Sequence, residues 1–202
     1  MAEGHGVGPE DLLPAVSRVI RAFETLGVSY LIGGSVASAI HGEPRATEDA
    51  DLVAELGPAH ITPLLGVLGA DFYVDRECIE DAIRQHGSFN AIHLATMQKI
   101  DIFVPSGNPL DTEQMRRRSE ILLDPGSGIR AFVATPEDTI LQKLRWYDLG
   151  QGVSDRQWRD VLGIIKVQGE RLDVAYLRNM ARAAGLLGLV ERAFEEAGRP
   201  RP

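Results

Sequence analysis

The chain is short of cysteine, of long apolar runs and of net positive charge, and each shortage closes off a class of function. Cys78 is the single cysteine among 202 residues. No intrachain disulfide can form, a reducing cytoplasm is the expected home, and with no Cys/His signature nearby Cys78 is a structural residue rather than a nucleophile. No apolar run approaches the roughly 20 residues that span a bilayer, so no membrane partner is expected. The opening stretch MAEGHGVGPEDLL lacks the basic and apolar regions of a signal peptide. A net charge of −8 argues against a protein that coats nucleic acid. The five histidines have no H-x-x-x-H spacing, and no G-x-x-x-x-G-K-[ST] phosphate loop is present. Gly4-His5-Gly6-Val7-Gly8 has the wrong spacing for a dinucleotide fingerprint and follows no strand. Repeats and low-complexity segments are missing too. What remains, 44% hydrophobic and 25% charged residues, is ordinary globular composition.

Periodicity gives the organisation. Leu12, Leu13, Val16, Val19, Ile20 and Phe23 recur at helical spacing up to Gly27. VSYLI (28–32) is an apolar strand running into Gly33-Gly34, and a small-residue helix follows from Ser35 to about His41. DADLV (49–53) alternates as a strand should. A helix near 61–68, a strand around Phe72 and a polar helix near 79–85 come next. FNAIHLA and KIDIFV then form a hairpin. Pro109 opens a helix that reaches Arg116, Arg117 and Arg118, the one dense basic cluster. That cluster is either a solvated face or an anion contact. Two strands flank a Pro-Gly-Ser-Gly turn. Thr135-Pro136-Glu137-Asp138 is a strong helix start, and helices near 136–149, 155–167, 173–184 and 186–197 complete the chain. The fold class is α+β: a mixed sheet flanked by helices over residues 1–135, then a helical annex over 136–202.

One stretch carries chemistry. A strand, then Gly33-Gly34-Ser35, then a helix gathers backbone N–H donors, a hydroxyl and a positive helix end in one place, which suits an anion. A tight turn without a ligand has the same pattern. Asp49 and Asp51 project from one strand face, where like charges resist burial unless a cation offsets them. Asp101, between Ile100 and Ile102 in a neighbouring apolar run, is a third acid that a strand could bring to the first two. Three carboxylates beside an anion-binding turn describe a two-metal phosphoryl-transfer site, with Mg²⁺ or Mn²⁺ the fitting hard cation. Trp146, Tyr147 and Trp158 are aromatics on helices and belong in a core.

Gly33-Gly34-Ser35, thirteen residues, then Asp49-Ala50-Asp51-Leu52 resembles the signature of the DNA polymerase beta nucleotidyltransferase superfamily. Asp101 falls where that family keeps its third carboxylate. Arg45 and Thr47 ahead of the acids, and TPEDTILQKLRWYDLGQGVSDRQWRDV downstream, are similar to its abortive-infection toxin-like branch. Ala50 stands where the family has a larger aliphatic residue, and the annex is shorter than in the longer toxins. The resemblance implies a nucleotidyltransferase moving a nucleoside monophosphate from a triphosphate to a hydroxyl on a small molecule, a protein or an RNA. Gly33, Gly34 and Ser35 would hold the triphosphate. Asp49, Asp51 and Asp101 would carry the metal and the catalysis. Arg45, Thr47, Lys143 and Asp160 would complete the nucleotide pocket, with Arg145, Arg156 and Arg159 as lesser contributors. The alternative is a non-catalytic module of the same fold, antitoxin-like or nucleotide-sensing, that binds a partner protein or a nucleotide. Lys143 is expected at the edge of its helix's apolar face, with the ammonium reaching a cleft.

Overall fold

The computed structural model describes residues 9–44, 47, 49–124, 126 and 128–200. They fall into two compact units. One combines Met1–Val36, Arg45–Ser106 and Glu120–Val133; the other combines Ala37–Pro44, Gly107–Ser119 and Ala134–Pro202. The division falls inside a helix that begins at Gly34.

The first unit is built on a seven-stranded mixed sheet. Its strands are β1 (Tyr30–Ile32), β2 (Asp49–Ala54), β3 (Phe72–Tyr73), β4 (Ser88–His93), β5 (Gln98–Phe103), β6 (Ser119–Asp124) and β7 (Ile129–Val133), in the order β3-β4-β5-β2-β1-β7-β6. β1 runs antiparallel to β2 and parallel to β7. β2 and β5 are parallel, and β4–β5 is the hairpin that its two apolar runs predict. Helix α1 (Pro9–Thr25) lies against β2 and β5 and lays its 3.6-residue stripe, from Leu12 through Phe23, into the core. It ends where Gly27 takes a φ of +66° and the Val28 N–H turns back to the Phe23 carbonyl at 2.9 Å. That closure spends Val28, so β1 starts at Tyr30, later than VSYLI suggests. Helix α2 (Gly34–His41) follows β1, and α3 (Ile61–Leu68) follows β2. Helix α4 (Arg76–Gln85) begins three residues before its apolar pattern does, because the Asp75 carboxylate caps it by accepting from the Cys78 N–H at 3.1 Å.

The second unit is helical. Helices α5 (Pro109–Arg117), α6 (Pro136–Leu149), α7 (Asp155–Gln168), α8 (Val174–Ala183) and α9 (Leu187–Glu196) surround Leu110, Ile140, Leu141, Leu144, Ile164 and Leu177. Asn108, Thr135, Ser154 and Asp173 each cap a helix start with a side-chain oxygen, so the capping signals in the sequence determine these boundaries. Tyr147 and Trp158 are buried with ring centroids 5.1 Å apart, as core aromatics. Trp146 is not: it is 52% exposed. Successive residues on a helix point about 100° apart, so a helix that buries Tyr147 turns Trp146 outward. No helix among the described residues is long and apolar enough to cross a membrane.

Candidate active site

Strand β2 alternates without a break. Ala50, Leu52 and Ala54 are fully buried, while Asp49, Asp51 and Val53 are half-buried on the opposite face. On β5, Ile100 and Ile102 are likewise fully buried. The parallel register sets Ala50 beside Ile100 and Leu52 beside Ile102 on the core face. On the other face it sets Asp49 beside Lys99 and Asp51 beside Asp101. Burying Leu52, Ile100 and Ile102 contributes about 1.5–3 kcal/mol each. A one-residue slip would put those side chains in water and the acids in the core, so hydrophobic burial fixes the register that gathers the acids. Asn90 of β4 stands beside Asp101 on its other side. Ala50 is fully buried beside Ile100 on the core face.

The glycine turn is bound to this face. Gly33 N–H donates to the Asp51 carbonyl at 2.9 Å, and Ser35 N–H donates to Asp51 Oδ2 at 3.2 Å. The first turn of α2 therefore holds the Asp51 carboxylate with the Ser35 N–H and the positive helix end. Gly34 is the position that demands glycine. Its φ is +52°, and a Cβ there would stand 1.7 Å from Asp51 Oδ2 and 2.4 Å from Cγ. Gly33 makes no such demand, because a Cβ would meet Leu31 at an ordinary 3.7 Å. Ser35 is 9% exposed. Thr47 is buried, and its hydroxyl donates to the Asp49 carbonyl at 3.0 Å, bracing the start of β2. Arg45 lies outside the described residues.

Lys99 was missed by the sequence reading. Its ammonium lies 3.0 Å from Asp101 Oδ2. That bond is the main reason its pKa is raised above the usual lysine value, with the charges of Asp101, Asp49 and Asp51 adding to it against some desolvation. The signal was present: K-I-D has the same period-two spacing as D-A-D, so Lys99 must share a face with Asp101. The donor set of the three acids suits a hard divalent cation. In the arrangement shown, Asp51 is turned to the Ser35 N–H and Asp101 to Lys99. Among the described residues no three carboxylate, imidazole or thiol side chains are gathered closely enough to hold one metal.

In the second unit, Lys143 and Asp160 form an ion pair at 2.8 Å, each side chain 6% exposed. Lys143 is buried on α6, not poised at the edge of its face, and its ammonium is directed to α7. Arg145 reaches Asp111 at 3.3 Å, and Arg159 is exposed, donating to the Asp155 carbonyl; Arg156 is exposed as well. The arginine cluster is divided among separate tasks. Arg116 pairs with Glu113, and Arg118 donates to the Met115 carbonyl. Arg117 bridges Glu137 and Asp138 while stacking 3.7 Å over the Tyr176 ring. Burial raises the Asp138 pKa, opposed by hydrogen bonds from Tyr176 and Thr135 and by the Arg117 charge.

Solved structures share this architecture. An antigenic nucleotidyltransferase-like protein from Paracoccidioides brasiliensis superposes with a TM-score of 0.59 at 20% identity, over 97% of this chain and 96% of its own. The antibiotic-resistance factor ANT(2'')-Ia does so with a TM-score of 0.58 at 15% identity, over 87% of this chain and 94% of its own. The fold is that of the nucleotidyltransferases. The lincomycin-bound lincosamide antibiotic adenylyltransferase LnuA has the nucleotidyltransferase fold in common with it at a TM-score of 0.52 and 13% identity, over 81% and 99% of the two chains. No family model matches the chain, and no curated protein does.

Proposed function

We propose that the chain is a nucleotidyltransferase that moves a nucleoside monophosphate from a nucleoside triphosphate to a hydroxyl acceptor with the help of Mg²⁺ or Mn²⁺. The observation that carries this reading is the β2–β5 register, which aligns Asp49, Asp51 and Asp101 on one face beside the Gly34–Ser35 turn. The nucleotidyltransferase fold supports it.

Asp49 and Asp51 are the carboxylates that would hold the cation, with Asp101 joining them. Bound there, the cation would neutralise phosphate charge and lower the pKa of the attacking hydroxyl. The Ser35 hydroxyl and the backbone of the Gly33–Gly34 turn orient the triphosphate. Asp101 accepts the proton of the acceptor hydroxyl, whose oxygen bonds to the α-phosphorus as the bond to the pyrophosphate oxygen breaks. Thr47 keeps Asp49 in place through its carbonyl. The nucleotide roles that the resemblance gives to Arg45, Lys143 and Asp160 belong to this proposal, as does membership of the toxin-like branch. For the acceptor we favour a small hydroxylated molecule over a protein or an RNA. ANT(2'')-Ia in complex with adenylyl-2''-tobramycin and lincomycin-bound LnuA are neighbours of that type.

Incubating the full chain with labelled triphosphates, Mg²⁺ and cell lysate reads out both transfer and the size class of the product. Wild type should label an acceptor, Asp49→Ala should not, and Asp101→Asn should slow transfer about 100-fold or more. Equal labelling by wild type and Asp49→Ala would end the catalytic reading. The non-catalytic, nucleotide-sensing or antitoxin-like module is favoured by one observation, that the Lys99 ammonium 3.0 Å from Asp101 Oδ2 offsets part of the negative charge on the acid face. It predicts a melting point raised by Mg²⁺ and nucleotide together, with no turnover.

A further inference from the structure

A lysine pointing across a strand at an aspartate is commonly an exposed ion pair of little consequence. Lys99 differs in what surrounds it. Its strand neighbour on β2 is Asp49, and two residues along β5 it meets Asp101, which is itself beside Asp51. The ammonium therefore lies 3.0 Å from an oxygen of Asp101, on the face that also carries Asp49 and Asp51 and within reach of their charges. Its stem rises from a strand anchored on both sides by Ile100 and by the β4 pairing of Ile92 with Lys99. Asp101 is the more enclosed partner, its side chain 19% exposed against 40% for Lys99. The lysine is thus the partner with more room to withdraw.

We propose that Lys99 is the resting counter-cation of the acid face: it holds Asp101 until a divalent cation and a triphosphate arrive together, and so couples metal occupancy to nucleotide. The inference rests on the nucleotidyltransferase reading above, since that reading supplies the cation. With Lys99 in place, a lone divalent cation meets a positive charge already seated on the third acid. When the triphosphate arrives, its negative oxygens offer the ammonium another partner, Asp101 is released, and the divalent cation gains a ligand. Lys99 acts through Asp101 and is a positioning residue, and its role shows in metal binding before any turnover.

The test is a Mn²⁺ titration of the full-length protein followed by electron paramagnetic resonance, with and without the α,β-methylene analogue of ATP. Wild type should bind Mn²⁺ weakly alone and more tightly with the analogue. Lys99→Met removes one positive charge a few ångströms from a dication, and in partly screened surroundings this should tighten nucleotide-free Mn²⁺ binding about three- to tenfold. The gain from the analogue should shrink by a similar factor, because coupling is reciprocal. Lys99→Arg keeps the charge and should behave as wild type, while Lys99→Gln keeps a neutral donor and should follow Lys99→Met if that variant folds poorly. Equal Mn²⁺ affinity in wild type, Lys99→Met and Lys99→Gln would overturn the role of Lys99 and leave the metal-dependent reading standing. Absence of Mn²⁺ binding in every protein, with or without the analogue, would overturn both.

Discussion

At the scale of single residues, the two glycines of the turn are unequal, although the sequence shows them as a pair. Gly34 combines a positive φ with an Asp51 oxygen where a Cβ would stand; Gly33 has neither constraint. Gly34→Ala must strain the backbone and expel Asp51 from the Ser35 N–H, so it should cost about 2 kcal/mol or more. Gly33→Ala should stay within about 1 kcal/mol of wild type. Urea melts of the two variants check this, and a mild Gly34→Ala would mean that the turn is not the clamp described here. A second residue-scale prediction concerns His41, whose Nε2 lies 2.7 Å from the Ala134 carbonyl oxygen. Burial lowers its pKa below the usual histidine value, opposed by that carbonyl and by the charge of Glu137. The folded state therefore resists the proton that the unfolded chain takes up near pH 6.5. Stability associated with His41 is present above that pH and lost as pH falls through the depressed folded value. Melting points between pH 7.5 and 5.0 should fall more steeply for wild type than for His41→Gln, which keeps a donor and does not titrate. Parallel curves would refute the assignment.

At the scale of elements, α6 and α7 are joined by the Lys143–Asp160 pair as well as by apolar packing. Sequence periodicity alone puts Lys143 at the rim of its helix face, where its loss should leave the fold untouched. The structure buries it at 5% exposure, and this changes the expected outcome. Lys143→Ala leaves Asp160 buried without its lysine and should cost about 3 kcal/mol. Lys143→Met combined with Asp160→Leu should be less destabilised than either single change, because no buried charge is then stranded. Thermal melts of the three variants decide it. Elements were legible in the sequence wherever a local rule governed them. Thr135 before Pro136 fixed the start of α6, and D-A-D alternation fixed the two faces of β2. The rest depends on partners distant in sequence. Nothing in K-I-D alone shows that Asp49 and Asp51 will be its neighbours, since that follows from a parallel pairing across two intervening helices and two strands. Nor does R-R-R show that Arg117 will be taken by Glu137, Asp138 and Tyr176.

At the scale of the whole chain, the two compact units are not successive lengths of sequence. Segments 37–44 and 107–119 belong with 134–202. Within that second unit, α5 contributes Leu110 to the core and Asp111 to Gln142 and Arg145 on α6. Arg117, at the end of α5, partners Glu137 and Asp138. The short 37–44 segment is held as closely: Gly42 lies against the backbone of Gly163 and Ile164, and Gln168 donates to the His41 carbonyl. A fragment beginning at residue 136 would keep its helices and the Ser154 and Asp173 caps, yet lose the Thr135 cap of α6 and all of these contacts. Three charged groups, Arg145, Glu137 and Asp138, would be left without Asp111 or Arg117, the last two of them almost fully buried in the intact chain. Unpaired buried carboxylates cost several kcal/mol, comparable to the whole stability of a small helical unit. Residues 136–202 expressed alone should therefore show helical circular dichroism with a broad, non-cooperative melt, while the full chain melts sharply. Supplying residues 107–119 as a peptide should sharpen the fragment's transition by mass action, and an Arg117→Ala peptide should do so less. A sharp, peptide-independent melt of the fragment would show that its helices carry their own core, and that the α5 contacts are accessory to it.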